Sequence, residues 1–241
     1  MPSLRSAKCR LQSLFSRSNV CVVILTKSSD TNLQLRRACE AYKNNRSIVS
    51  ICVVESGDFE LDIDIEYYLR PEASFHYNKF VQFALSKIDI DKFDAVIISN
   101  DDVIPLKGAV DQMVMSGFDS CSPIDPSAYR WNNVSRPTIG YYIEYHLTGW
   151  CICMSHRLLK MVPTHCLFND RYHFNGQDIY YSKLLESLGI PHAVVPDAKV
   201  VHLEHQSHSL VDSKFLIADS VLEHIDSDVL MDVEYIKNMT R

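Results

Sequence analysis

The sequence predicts an α/β fold, with a mainly parallel sheet sandwiched by helices in a single domain. The first observation is that short apolar segments alternate with segments of helical periodicity over roughly the first hundred residues. The second is that no Gly-, Pro- or Ser-rich linker divides the 241 residues. The third is the composition, 46% hydrophobic and 22% charged, which is typical of globular domains and excludes a disordered or fibrous chain.

Three segments of the first half are short, apolar and rich in β-branched residues, which is typical of strands buried on both faces. These predicted strands are Val20–Thr26, Ile48–Val54 and Phe93–Ser99. Apolar residues at helical spacing predict two helices between them, Leu33–Lys43 and Asn78–Ile88. Such an order of strands and helices favours parallel pairing.

The second half mixes helices with shorter strands. Three helices are predicted, at Lys107–Ser116, His156–Val162 and Asp178–Leu188. The predicted strands are Asp119–Ile124, Ile139–Leu147, the segment 149–154, Ala193–Pro196 and Lys199–Glu204. No internal repeat is present, so the two halves are expected to be lobes of one domain.

Charge and cysteine usage limit the function classes. With 24 basic and 30 acidic residues the formal charge is −6, which argues against sequence-blind binding of duplex DNA. Residues 1–29 are basic and hold no acid, typical of a surface arm or, alternatively, a transit peptide. No apolar run approaches the roughly 18–20 residues of a membrane span, and none of the 8 cysteines forms CxxC. We therefore expect a soluble protein with free thiols in the cytoplasm.

Polar residues follow each of the three buried strands of the first half. They are Thr26-Lys27, Glu55-Ser56 and Asn100-Asp101-Asp102. In an open parallel sheet, ligands bind beyond the carboxyl ends of the strands. Two adjacent carboxylates there are costly unless they are solvated, paired or bound to a cation, and Mg²⁺ or Mn²⁺ takes carboxylates together with substrate phosphates. The alternative is that the two acids only form a turn before Pro105.

Seven segments, in the same order along the chain, resemble the GT-A glycosyltransferases, especially those of family 2. They are Val22–Thr26, Val53–Ser56, Phe75–Phe80, Ile97–Val103, Gly149–Trp150, Phe174–Asp178 and Val200–Ser207. The resemblance covers roughly residues 20–210. It implies a GT-A (Rossmann-like) catalytic domain at 20–210, with a nucleotide-sugar lobe at 20–104 and an acceptor lobe at 105–210. A basic arm at 1–19 precedes this domain, and an acidic, helical tail at 211–241 follows it.

The same resemblance implies a role for individual residues. Donor-binding residues would be Thr26, Lys27, Glu55, Asn78, Lys79, Asn100 and Asp101. Asp102 and His202 would bind Mn²⁺ or Mg²⁺, with His205 as the alternative histidine, and Gly149, Trp150 and Gln177 would contact the sugar or the acceptor. Asp178 would be the general base, and the alternative is that it only caps a helix. The chain departs from the family at Asn100 and Gln177, where the family has acids, and at Glu55, where it has Asp.

The implied function is metal-dependent, inverting transfer of a sugar from a nucleotide-diphosphate sugar, with a UDP-sugar favoured, to an acceptor hydroxyl. The acceptor is expected to be a glycan, and the alternative is a hydroxylated DNA base, because small stand-alone enzymes of this type resemble those of bacteriophages. A nucleotidyltransferase would normally carry a Gly-rich loop after the first strand, and Thr26–Asp30 contains no glycine. A non-catalytic sugar-binding module is the third alternative, and donor hydrolysis would discriminate between them.

Overall fold

The computed structural model describes residues 18–26, 32–56, 64–127, 147–172, 176–203 and 211–239. Among these residues, eight strands form one mixed sheet. The strands are β1 Val20–Thr26, β2 Ile48–Glu55, β3 Tyr67–Leu69, β4 Ala95–Asn100, β5 Val103–Pro105, β6 Ser120–Ile124, β7 Cys151–Ser155 and β8 His192–His202. The helices are α1 Asn32–Lys43, α2 Tyr77–Lys87, α3 Ala109–Met115, α4 His156–Met161, α5 Thr164–Leu167, α6 Gln177–Ser187 and α7 Val211–Met239, with a 3₁₀ turn at Ile90–Lys92.

The sheet order is β3-β2-β1-β4-β7-β6-β8-β5. The first four strands in this order are mutually parallel, β7 is antiparallel to both its neighbours, and β8 is parallel to β6. In the parallel half, Thr26 pairs with Glu55 and Leu25 with Asn100. The polar residues that follow β1, β2 and β4 therefore meet at one edge of the sheet, as the sequence predicts.

Two apolar clusters cover the two faces of the sheet, because alternate residues of each strand point to opposite faces. In β1, Cys21, Val23 and Leu25 belong to the first cluster, and the residues between them belong to the second. Helices α2, α6 and α7 pack in the first cluster, and α1 and α3 pack in the second. This confirms the predicted α/β fold, with a mainly parallel sheet between helices.

The structure differs from the predicted elements in two places. The strands predicted at 193–196 and 199–204 are one strand, β8, in which the register against β6 shifts between Pro123 and Ile124. The short elements β3, β5 and α5 have too few residues for a periodic pattern. Of the predicted strand 139–147, only Leu147 lies among the described residues.

The C-terminal segment forms a helix of 29 residues, α7. Its last half contributes Ile225, Val229, Val233 and Ile236 to the apolar cluster that holds α2 and α6. The predicted boundary at residue 210 stays a prediction, but this helix belongs to the same core as the sheet. Within the described residues, no helix has the length and apolar character needed to cross a membrane.

Candidate active site

The ends of β1 and β4 are joined by a short hydrogen bond. Thr26 Oγ1 donates to Asp101 Oδ2 at 2.6 Å. Burial raises the pKa of Asp101 to about 6, the negative charge of Asp102 adds to the rise, and the bond from Thr26 opposes it. Thr26 and Asp101, two of the predicted donor-binding residues, are therefore in contact. The surroundings of Asp101 disfavour the charged form of its carboxyl group.

The two predicted metal ligands are brought together by the pairing of β5 with β8. Val103 pairs with His202 in antiparallel register, and the Leu203 amide donates to the carbonyl of Asp102 at 2.9 Å. As a result, Asp102 Oδ1 lies 3.3 Å from His202 Nε2. Both side chains are largely buried, at 16% and 18% exposed.

This pair fits a divalent cation. Asp102 Oδ1 is buried and makes no hydrogen bond within the described residues, although His202 Nε2 lies 3.3 Å away. A carboxylate beside an imidazole is a donor set that Mn²⁺ accepts. The described residues contain no group of three or more acids, histidines or cysteines placed to hold a metal. The remaining ligands would then come from substrate phosphates and water.

The Gly149–Trp150 dipeptide contacts His202 of the proposed metal pair and is hydrogen-bonded to two other elements of the fold. The Trp150 ring stacks on the His202 ring, with centroids 4.9 Å apart and an interplanar angle of 21°. The carbonyl of Trp150 accepts the Asn100 amide at 2.9 Å, and the Tyr77 hydroxyl donates to the carbonyl of Gly149 at 2.6 Å. The dipeptide is thus fixed to β4 and to α2.

Asp178 lies next to Gly149 of the same dipeptide. A Cβ placed on Gly149 would be 3.6 Å from Cβ of Asp178 and 4.0 Å from its carboxyl carbon. Asp178 is not the N-cap residue of α6, which is Gly176, with φ of 78° and no side-chain cap. Asp178 is instead in the first turn, where its Oδ1 accepts the Ile179 amide at 3.0 Å and the helix dipole favours a carboxylate.

Asn78 and Gln177 form a scaffold rather than a surface open to ligands. Asn78 is fully buried, and its amide nitrogen lies 2.5 Å from the Tyr172 carbonyl and 2.6 Å from Gln177 Oε1. Gln177 Nε2 in turn donates to the Leu167 carbonyl at 3.0 Å. The structure therefore does not bring these two side chains to the candidate site. They hold the segment before Asp178 against α2.

Of the other predicted donor-binding residues, Glu55 is 1% exposed at the end of β2. Its Oε2 lies 3.7 Å from Arg70 Nη2, an ion pair that the sequence analysis missed. Lys79 is exposed in the first turn of α2. Lys27 and the alternative histidine, His205, lie outside the described residues.

A second residue that the sequence analysis missed is Asp125, just after β6. It is 2% exposed, and its Oδ2 accepts the backbone amide of His202 at 3.0 Å. The other carboxylate oxygen accepts both the amide and the hydroxyl of Ser127. An acid that ends a short strand gives no sequence signal that distinguishes it from a turn residue.

Comparison by sequence finds no match, either among family models or among curated proteins. Comparison of structures finds many similar chains. Glucosyl-3-phosphoglycerate synthase from Mycobacterium tuberculosis, in complex with Mn²⁺, UDP and glucosyl-3-phosphoglycerate, matches with a TM-score of 0.59 and 14% identity over 91% of this chain and 82% of that chain. TarS of S. aureus matches with a TM-score of 0.52 and 10% identity over 76% of this chain, but only 59% of that chain.

A Drosophila galactosyltransferase, in complex with manganese, UDP-Gal and xylobiose, matches with a TM-score of 0.50 and 9% identity, over 82% of this chain and 79% of that one. These identities are low, so the likeness concerns the fold. It agrees with the strand order and with the resemblance found in the sequence. The chain therefore has the GT-A fold, which it shares with nucleotide-diphospho-sugar glycosyltransferases.

Proposed function

We propose that the protein is a metal-dependent, inverting glycosyltransferase that moves a sugar from a UDP-sugar to a hydroxyl of a carbohydrate acceptor. The observation that carries the proposal is the placement of both the Asp102–His202 pair and Asp178 next to the Gly149–Trp150 dipeptide. The structural neighbours crystallised with manganese and UDP support the same class of donor and cofactor.

In this proposal the metal ligands and the base have separate tasks. Asp102 and His202 would hold Mn²⁺ or Mg²⁺, which neutralises the diphosphate of the donor as it becomes the leaving group. The acceptor oxygen attacks the anomeric carbon from the side opposite the diphosphate, and the bond from that carbon to the diphosphate oxygen breaks. Asp178 takes the proton of the acceptor hydroxyl, so that transfer releases UDP and inverts the configuration.

The overall charge supports a neutral acceptor. The chain has a formal charge of −6. Such a charge repels the phosphates of a nucleic acid, which DNA-binding proteins neutralise with Lys and Arg. Trp150 beside the site offers an aromatic face on which the apolar C–H surface of a sugar can pack. A glycan is therefore the proposed acceptor, and a DNA base is the alternative that the experiment must test.

The test is to incubate the protein with Mn²⁺ and a panel of nucleotide sugars and to measure release of the nucleoside diphosphate. We expect slow hydrolysis of one UDP-sugar, abolished by EDTA and in Asp102→Asn, and faster release when a glycan acceptor is added. Inverted configuration of the product would be checked by NMR. Release of pyrophosphate instead would indicate a nucleotidyltransferase, and no turnover of any donor would favour a binding module. Faster release with hydroxymethylated DNA, and not with glycans, would overturn the proposed acceptor.

A further inference from the structure

His202 is contacted from two other parts of the chain besides its neighbour on β5. The ring of Trp150, which precedes β7, stacks on its imidazole. The carboxylate of Asp125, which follows β6, accepts its backbone amide. Neither residue is a predicted metal ligand. Both contacts restrict the same histidine, one through the ring and one through the backbone.

Trp150 also bonds to the segment that precedes Asp102, the other half of the metal pair. Its carbonyl accepts the amide of Asn100, two residues before Asp102. Its indole nitrogen, by contrast, is buried and has no hydrogen-bond partner among the described residues. Within the described residues, the stack with His202 therefore helps to orient the indole. Trp150 thus contacts both the end of β4, two residues before Asp102, and His202 at the end of β8.

We propose that Trp150 and Asp125 are positioning residues that hold His202 in the orientation needed to bind the divalent cation. The inference rests on the proposed function, because it assumes that His202 is a metal ligand. Trp150 fixes the plane of the imidazole, and Asp125 fixes the end of β8 from which the side chain projects. Neither residue touches the cation in this proposal, and each acts through His202.

The physical reason is that a metal ligand binds well only when its lone pair already points at the cation. Groups that orient a ligating histidine from outside the ligand set are typically worth 10–100-fold in metal affinity. Most such groups are hydrogen-bond acceptors for the second ring nitrogen. Here a flat aromatic face performs the same task, because stacking restricts rotation of the imidazole while leaving its edge open.

The experiment measures Mn²⁺ affinity by calorimetry with UDP present, for the full chain and for five variants. Trp150→Leu removes the aromatic face, and we expect it to weaken Mn²⁺ binding about tenfold or more. Trp150→Phe keeps a flat ring and should restore affinity to within a few-fold of the unchanged protein. Asp125→Ala should weaken Mn²⁺ binding, while Asp125→Asn, which keeps an acceptor oxygen, should weaken it less. His202→Ala removes the proposed ligand itself and shows how much Mn²⁺ affinity is lost without it.

The matched control is Tyr235→Leu. Tyr235 is also an aromatic residue that contacts a histidine, His165, at a centroid distance of 5.6 Å. It lies on α7 and is 45% exposed, so its loss should leave Mn²⁺ affinity unchanged. Melting temperatures of all variants separate loss of the fold from loss of orientation. If Trp150→Leu does not fold, Trp150→Phe and the two Asp125 variants carry the test.

A spectroscopic signal tests the stack without any turnover. The chain has two tryptophans, so Trp131→Phe leaves Trp150 as the single emitter. Paramagnetic Mn²⁺ bound at His202 should quench Trp150 fluorescence, and His202→Ala should abolish the quenching.

If Trp150→Leu and Asp125→Ala bind Mn²⁺ like the unchanged protein while His202→Ala does not, the positioning role is overturned and the metal site stands. If His202→Ala also binds normally, the metal site of the proposed function is wrong, and the positioning role is wrong with it.

Discussion

Asp102 Oδ1 and His202 Nε2 lie 3.3 Å apart, because the pairing of β5 with β8 brings the turn before β5 next to the end of β8. Since Asp102 Oδ1 is buried and accepts no hydrogen bond from the described residues, we expect a cation to bridge the carboxylate to the donor diphosphate. UDP should therefore bind in Mn²⁺ and lose most of its affinity in EDTA, as measured by calorimetry. His202→Ala should lower the metal-dependent affinity about tenfold or more, and His205→Ala should lower it less. Equal affinity with and without Mn²⁺ would contradict the metal site.

Substitution of Asp178 tests the proposed base. Asn at this position keeps an oxygen that can accept the Ile179 amide, so the first turn of α6 should remain intact. It cannot take a proton, and transfer should fall by about 10²–10⁴-fold while UDP binding and melting temperature stay unchanged. The measurements are turnover, UDP affinity and thermal unfolding on one preparation. An active Asn variant would place the base elsewhere, and Asp170 or Glu144 would be the next carboxylate to replace.

Gly149 is predicted to be required for its small size beside Asp178. A Cβ at this position would lie 3.6 Å from the Asp178 side chain, an ordinary van der Waals contact, so Gly149→Ala should fold with an unchanged melting temperature. The added methyl group would lie beside the proposed base, and we expect the KM of the acceptor to rise. The KM of the donor should change little. Gly149→Val should lower the melting temperature as well, and equal acceptor kinetics in Gly149→Ala would show that the acceptor does not approach along this path.

The parallel half of the fold was predictable because each strand there is a continuous apolar segment that ends in polar residues. This pattern predicts that Thr26, Glu55 and Asp101 lie at one edge of the sheet. The scaffold role of Asn78 was not predictable, since its partners Tyr172 and Gln177 are distant in sequence. The same holds for the contacts of His202, because backbone pairing between short strands leaves no periodic signal.

The C-terminal helix α7 should contribute to stability through Asp228. Its carboxylate is 6% exposed, forms an ion pair with Arg171 and accepts the Tyr172 hydroxyl at 2.8 Å. Asp228→Ala would leave that hydroxyl buried without an acceptor, at a cost of about 1–3 kcal/mol in the free energy of unfolding. The matched control is Asp226→Ala on the same helix. Asp226 is 77% exposed in its pair with Lys183, and its loss should cost less than about 1 kcal/mol. Urea unfolding of both variants measures the difference, and equal costs would contradict the role of Asp228.

Asp101 should make stability depend on pH in the direction opposite to that of a salt-bridged acid. Burial, with the charge of Asp102 added, raises its pKa in the folded state from 3.8 to about 6. Below about pH 4 the group is neutral in both states and costs nothing. As the pH rises through about 6 it becomes charged in the folded state, so the penalty is then present in full, up to about 3 kcal/mol.

Asp101→Asn keeps an acceptor for Thr26 and carries no charge, so it should unfold at higher urea than the unchanged protein at about pH 7. Near pH 4 the two should unfold together. The measurement is made in EDTA, because a bound cation would favour the charged form of the carboxyl group. A stability difference that does not grow between these two pH values would mean that Asp101 is charged in the folded protein at little cost, as a well-solvated carboxylate would be.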